Sequence, residues 1–200
     1  HPQAIRLIRQ SLRLIDDKLR HDPEANRILL GLMTGHGTPE MTLRRMNEAG
    51  VLGRMIPEFG RVVSMMQYNL YHHYTVDEHL IRTVGIVSEI ERGESARKHP
   101  LSHDIFKAVT NRRVLYVAAF LHDIGKGRPE NHSILGARIA AQVCPRLGLT
   151  AAETDLVVWL IENHLLMSNV AQSRDIADPK TIRDFAEMMQ SVERLRLLLV

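Results

Sequence analysis

The segment Val114 to Leu121 constrains this chain more than any other. It reads Val-Leu-Tyr-Val-Ala-Ala-Phe-Leu, apolar on every face, so as a helix it must be buried all round. It is far too short to span a bilayer, which takes about 20 apolar residues. His122 and Asp123 follow it directly. An imidazole and a carboxylate side by side at the end of a buried helix are costly unless something satisfies both. A divalent cation would do so. Adjacent helix residues point about 100° apart, so one cation collects both only where the helix ends or distorts. Ile124-Gly125-Lys126-Gly127 is expected to supply a flexible exit at that point.

The rest of the chain reads as all-α. Alternating β-branched runs and two-residue hairpin turns are missing. Helix punctuation is frequent instead. Thr38-Pro39 reads as an N-cap with proline at the first helical position, and Gly50 as the stop. Thr75 with Glu78, and Thr150 with Glu153 after Gly148, form capping-box patterns. Asp178-Pro179 is a further cap. Apolar residues recur at helical spacing in Val76, Leu80, Val84, Val87 and in Ile182, Phe185, Met189, Val192. Residues 92–113, with Gly93 and Pro100, read as a mobile connection. The organisation expected is a helical extension over 1–74 and a compact helical core over 75–200. Leu195 to Val200 stays apolar and ends without a cap, as a helix continuing beyond this sequence would.

At 200 residues and 44% hydrophobic, the chain holds enough apolar material for one sizeable core. The net charge is only +3, and Arg6, Arg9, Arg13, Lys18 and Arg20 are spaced like a solvated helix face. This is no nucleic-acid patch. Cys144 is the only cysteine, so no internal disulfide forms, which fits a cytoplasmic location. No signal peptide or membrane segment is read.

Eleven histidines are many for this length. His79 lies in the first turns of the helix opened by Thr75, with Thr83 one turn on and expected to orient its ring. His132 lies just before the helix that follows Ser133, and His164 ends the helix Ala151–Asn163. The expected metal ligands are His79, His122, Asp123, His132 and His164. The expected catalytic residues are His122, Asp123 and Lys126. Mixed imidazole and carboxylate ligands suit Mg, Mn, Fe or Zn. One such ion, or two roughly 3.5–4 Å apart, activates water and holds a phosphoryl oxygen. Phosphoester hydrolysis is the natural reaction, with Lys126 placed to contact the phosphate or protonate the leaving group.

His79 with Leu121-His122-Asp123-Ile124-Gly125-Lys126 resembles the HD superfamily of metal-dependent phosphohydrolases. The resemblance narrows at Tyr71-His72-His73-Tyr74-Thr75-Val76-Asp77-Glu78-His79, Gly127-Arg128, His132-Ser133-Ile134-Leu135-Gly136-Ala137, Trp159-Leu160-Ile161-Glu162-Asn163-His164-Leu165-Leu166-Met167 and Arg174-Asp175-Ile176-Ala177-Asp178-Pro179. These are similar to the family of bacterial bifunctional uridylyltransferase/uridylyl-removing enzymes. The runs Thr42-Leu43-Arg44-Arg45-Met46-Asn47, Gly50-Val51-Leu52-Gly53 and Ile56-Pro57-Glu58-Phe59-Gly60 look like that family's helical linker. The resemblance implies an HD-domain helical bundle that removes UMP from a tyrosine of the PII nitrogen-signal protein. It also implies glutamine as an effector, acting through sensor domains absent here. The transferase signature is absent too, so the chain resembles the linker and HD portion alone. The family's last aspartate ligand is expected in an Ala-Asp pair beyond Val200. Asp175 and Asp178 are in-chain candidates, Asp178 having its capping role already. Two other readings remain open: a generic HD phosphodiesterase acting on a nucleotide or cyclic dinucleotide, and a catalytically silent helical module.

Overall fold

Five prolines, Pro23, Pro39, Pro57, Pro100 and Pro179, each open a helix. Proline is suited to that position because its fixed φ is helical and the N–H it lacks would have no partner there. The computed structural model describes residues 2–66 and 74–200. The Tyr71, His72 and His73 of the motif quoted above lie outside the described residues. Among those described there is no strand.

The chain runs through α1 (Pro2–Ser11), a 3-10 turn at Leu12–Leu14, α2 (Asp17–Arg20), α3 (Pro23–Met33), α4 (Pro39–Glu48), α5 (Val51–Met55) and α6 (Pro57–Gly60). After the segment 67–73 come α7 (Val76–Arg92), α8 (Pro100–Phe106), α9 (Arg112–Leu121), α10 (His132–Arg146), α11 (Ala151–Asn163), α12 (Leu166–Ser173), α13 (Pro179–Met189) and α14 (Val192–Leu199). The all-α fold is as the sequence implies.

Every residue from Val114 to Leu121 is buried. α9 is the central rod, with α7, α10 and α11 packed around it. One hydrophobic core runs from Leu29 and Met33 of α3 through Phe59 of α6 to Ile161 of α11 and Leu197 of α14. Phe59 stacks on Phe120 of α9 with ring centroids 5.0 Å apart, so the N-terminal helices share the core of the rest. Polar ties reinforce this. Arg112 makes two hydrogen bonds to Glu91, at 2.6 and 2.7 Å, and a third to the Thr34 carbonyl at 2.6 Å.

Several local expectations are corrected. Residues 92–113 are no loose connection: they contain α8, bury Phe106, and let His103 Nδ1 donate to the Ile90 carbonyl at 2.8 Å. The Thr75–Glu78 capping box does not form, because Glu78 pairs with Arg44 of α4 instead. The Thr150–Glu153 box does form. Ile182 through Val192 is not one helix. Gln190 takes φ 59° and Ser191 caps a new helix, accepting from the Arg194 N–H, which leaves Ile182 and Val192 exposed.

Candidate metal centre

α9 stops at Leu121, and the chain then tightens into successive turns. The Ile124 N–H donates to the Leu121 carbonyl and the Lys126 N–H to that of Asp123, both at 3.0 Å. With about three residues per turn rather than 3.6, neighbouring side chains are redirected. His122 Nε2 and Asp123 Oδ2 come within 3.3 Å.

This exit is tight rather than flexible. A Cβ at Gly125 would run into the His132 carbonyl and stand 2.9 Å from the Gly136 nitrogen. Glycine there lets the start of α10 lie directly on the turn. Gly136 repeats the device: a Cβ would meet Ile161 of α11 at 3.0 Å. Asn131 caps α10, accepting from the Ser133 and Ile134 N–H groups. Two glycines thus draw the ends of α9 and α11 and the start of α10 to one point. His79 arrives from the first turns of α7.

The four histidines surround Asp123, whose side chain is only 4% exposed. His79 and His122 face its Oδ2 at 3.4 and 3.3 Å, and their own Nε2 atoms lie 3.1 Å apart. His132 and His164 face its Oδ1, both at 3.6 Å. Two triads result, His79–His122–Asp123 and Asp123–His132–His164, and they share the carboxylate. The Lys126 ammonium contacts Oδ2 at 2.7 Å. Every sequence-expected site residue is therefore in this cluster. Asp175 and Asp178 are not: both are exposed, accepting from the backbone N–H groups of Ala177 and Lys180 respectively. Thr83 does not orient the His79 ring; its hydroxyl donates to the His79 carbonyl at 2.8 Å.

The rings are oriented as ligands would be. His122 Nδ1 lies 2.9 Å from the Ala119 carbonyl, and His164 Nδ1 2.7 Å from that of Ile161. A carbonyl only accepts, so each Nδ1 carries hydrogen, and Nε2 is left as the nitrogen of each ring that faces inward. Burial pushes His164 and His132 below the ordinary histidine range, against the pull of the Ile161 carbonyl on the first and of Asp123 on the second. Burial alone would raise the Asp123 carboxyl. The hydrogen bonds and charges of His122 and Lys126 outweigh it and hold the group ionised, well below the usual carboxylate range. Ring nitrogens and the carboxylate therefore crowd around one small space. Oδ1 is fully buried with no hydrogen-bond partner. Such an arrangement is expensive without a cation, and the donor set fits a divalent ion. An apolar cavity of about 270 Å³ adjoins His122 and His164, walled by Leu115, Ala118, Leu160 and Leu197. Its low polarity strengthens the charge interactions beside it.

Residues 76–197, more than half of the chain, match the model of the HD domain. The chain belongs to the HD-domain family. This HD domain is preceded by residues 1–55, which match the uridylyltransferase GlnD third domain. Together the two matches are those of the PII uridylyltransferase family. HD domains are metal-dependent phosphohydrolases, and among the described residues the cluster around Asp123 could hold a metal. Among the described residues, no helix is long and apolar enough to cross a membrane.

Proposed function

We propose that this HD domain hydrolyses a phosphodiester, releasing UMP from a uridylylated tyrosine of the PII nitrogen-signal protein. The observation that carries the reading is the shared carboxylate: the two oxygens of Asp123 face two separate histidine pairs. The match of residues 1–55 to the uridylyltransferase GlnD third domain supports uridylyl-PII as the substrate.

His79, His122, Asp123, His132 and His164 would hold one or two divalent ions: Mg or Mn by the family resemblance, with Fe or Zn also suited to a set rich in imidazole. When bound, such an ion supplies Lewis acidity toward phosphoryl oxygen and lowers the pKa of water. The chain's own groups do the rest. The Ala119 and Ile161 carbonyls fix the tautomers of His122 and His164 and keep their Nε2 atoms facing inward. Asp123 holds its charge at the centre of the group. The Lys126 ammonium lies at the same carboxylate, placed to stabilise charge that develops on the phosphoryl oxygens. His79 and His132, 33% and 28% exposed, form the side open to substrate. His122 and His164 form the sheltered side.

Incubating the intact protein and its His122→Ala variant with uridylyl-PII and Mn²⁺ tests the reading. UMP release is expected from the first and not from the second. Undiminished release by His122→Ala would sink it. Faster turnover of small phosphodiesters than of uridylyl-PII would favour the generic HD phosphodiesterase instead.

A further inference from the structure

His79 reaches the cluster only through the first turns of α7, and the N-terminal helices hold that turn. Asp77, two residues before His79, is 4% exposed. Its Oδ2 accepts from the Asn47 side-chain amide of α4 at 2.7 Å, and its Oδ1 from the Ser64 N–H at 3.1 Å. Ser64 adopts φ 58°, a left-handed conformation that costs a non-glycine residue energy. The next residue continues the grip. The Met65 carbonyl accepts from the Val76 N–H at 2.9 Å, and the Met65 side chain fills the space a Cβ on Gly127 would occupy. One short stretch, Ser64–Met65, therefore touches both the turn carrying His79 and the turn carrying Asp123 and Lys126. On the other side of Asp77, Arg44 bonds Glu78 and Glu40. α4 lies so close to α7 that a Cβ on Gly85 would strike the Glu40 side chain.

A buried carboxylate in the first turn of a helix has an ordinary use, answering the helix dipole. That use needs no partner on another element. Asp77 has two, both from the region before α7, and one holds a strained backbone. We infer that Asp77 is a positioning residue: with Asn47 and Ser64 it forms a clamp that sets His79 against His122 and Asp123. Through it, the disposition of the preceding helices governs the metal affinity of the His79 triad. The inference rests on the metal-centre reading above. A residue that only stabilised the fold would lower the melting temperature and leave that affinity alone.

The test is Mn²⁺ titration of the intact protein by calorimetry. Asn47→Asp places a second carboxylate against Asp77. It is expected to raise the Mn²⁺ dissociation constant about 10-fold, at the lower end of the 10–100-fold seen when a ligand's supporting partner is lost. Combining it with Asp77→Asn restores a donor facing an acceptor with the roles exchanged, and should recover most of the affinity. If Asn47→Asp does not fold, Asn47→Ala removes the donor without adding charge and serves in its place. Glu153→Gln, far from the cluster, should lower stability with no effect on affinity. Unchanged Mn²⁺ binding in the Asn47 variants, or a loss that the double variant does not repair, overturns the clamp while His79→Ala still loses Mn²⁺. Should His79→Ala bind as well as the parent, the metal-centre reading falls, and the clamp with it.

Discussion

The Nε2 atoms of His79 and His122 stand 3.1 Å apart, yet no backbone link brings them there. One ring comes from the start of α7 and the other from the end of α9. With His122 Nδ1 committed to the Ala119 carbonyl, two rings and a carboxylate converge on a space the size of an ion. Metal binding should therefore depend on Asp123 more than on any one histidine. Asp123→Asn, which serves both triads, is expected to abolish Mn²⁺ retention. His132→Ala, which serves one, should leave a residual ion. Elemental analysis after Mn²⁺ loading and desalting reads both. Full retention by Asp123→Asn would contradict the shared-carboxylate arrangement.

Lys126 separates charge stabilisation from metal holding. Its ammonium contacts Asp123 Oδ2 at 2.7 Å but supplies no ligand of its own. Lys126→Met should reduce kcat for phosphodiester hydrolysis about 10²–10³-fold, the usual effect of losing one transition-state donor. Mn²⁺ should still bind. A variant turning over at the parental rate would remove Lys126 from the chemistry.

Gly125 is where the turn after α9 meets the start of α10. Gly125→Ala must push against backbone, not a flexible side-chain tip. The expected cost is about 1–3 kcal/mol, seen as a lower melting temperature. Weaker Mn²⁺ binding should accompany it, because His132 moves with α10. A melting temperature and affinity equal to the parent's would show that the contact has slack.

Glu153 gives the clearest pH dependence. It accepts from Arg113 at 2.5 and 2.7 Å, from Asn111, and from the Thr150 N–H and hydroxyl. Chiefly through Arg113, and against the effect of burial, its carboxyl is lowered from 4.5 to about 2. The folded chain thus holds the charged form more tightly than the unfolded chain does. Its stabilisation is complete above pH 4.5 and is lost as pH falls through about 2. Glu153→Gln should lose stability at pH 7, where the carboxylate is charged, and show a flatter stability profile across the acid window. Parallel profiles for the two proteins would refute the assignment.

Where sequence sufficed, a single local pattern carried the information. Val114–Leu121 had to be buried on every face, and each residue is. Thr150 and Asp178 cap the helices they precede. All five metal-ligand candidates, with Lys126, meet at one point, because each sits at or near a helix end and those ends converge. Competition with distant partners was less legible. Glu78 left Thr75 for Arg44, a residue 34 positions earlier. Thr83 bonded a carbonyl in preference to a ring. Gly125 looked like a hinge because glycine permits flexibility, but its missing Cβ matters for close approach. Asn47 and Asp77 carried no spacing that would pair them.

The unbroken core from Leu29 to Leu197 makes the chain a single thermodynamic lever. An ion at Asp123 binds only when α7, α9, α10 and α11 are assembled, and those helices share their interior with α3 and α6. An ion at 100 times its dissociation constant adds about 2.7 kcal/mol to whatever unfolds cooperatively with its site. Here that includes helices that never touch it. Protection of Leu29 or Phe59 amides from hydrogen exchange would then report on occupancy of a site to which neither residue contributes a ligand.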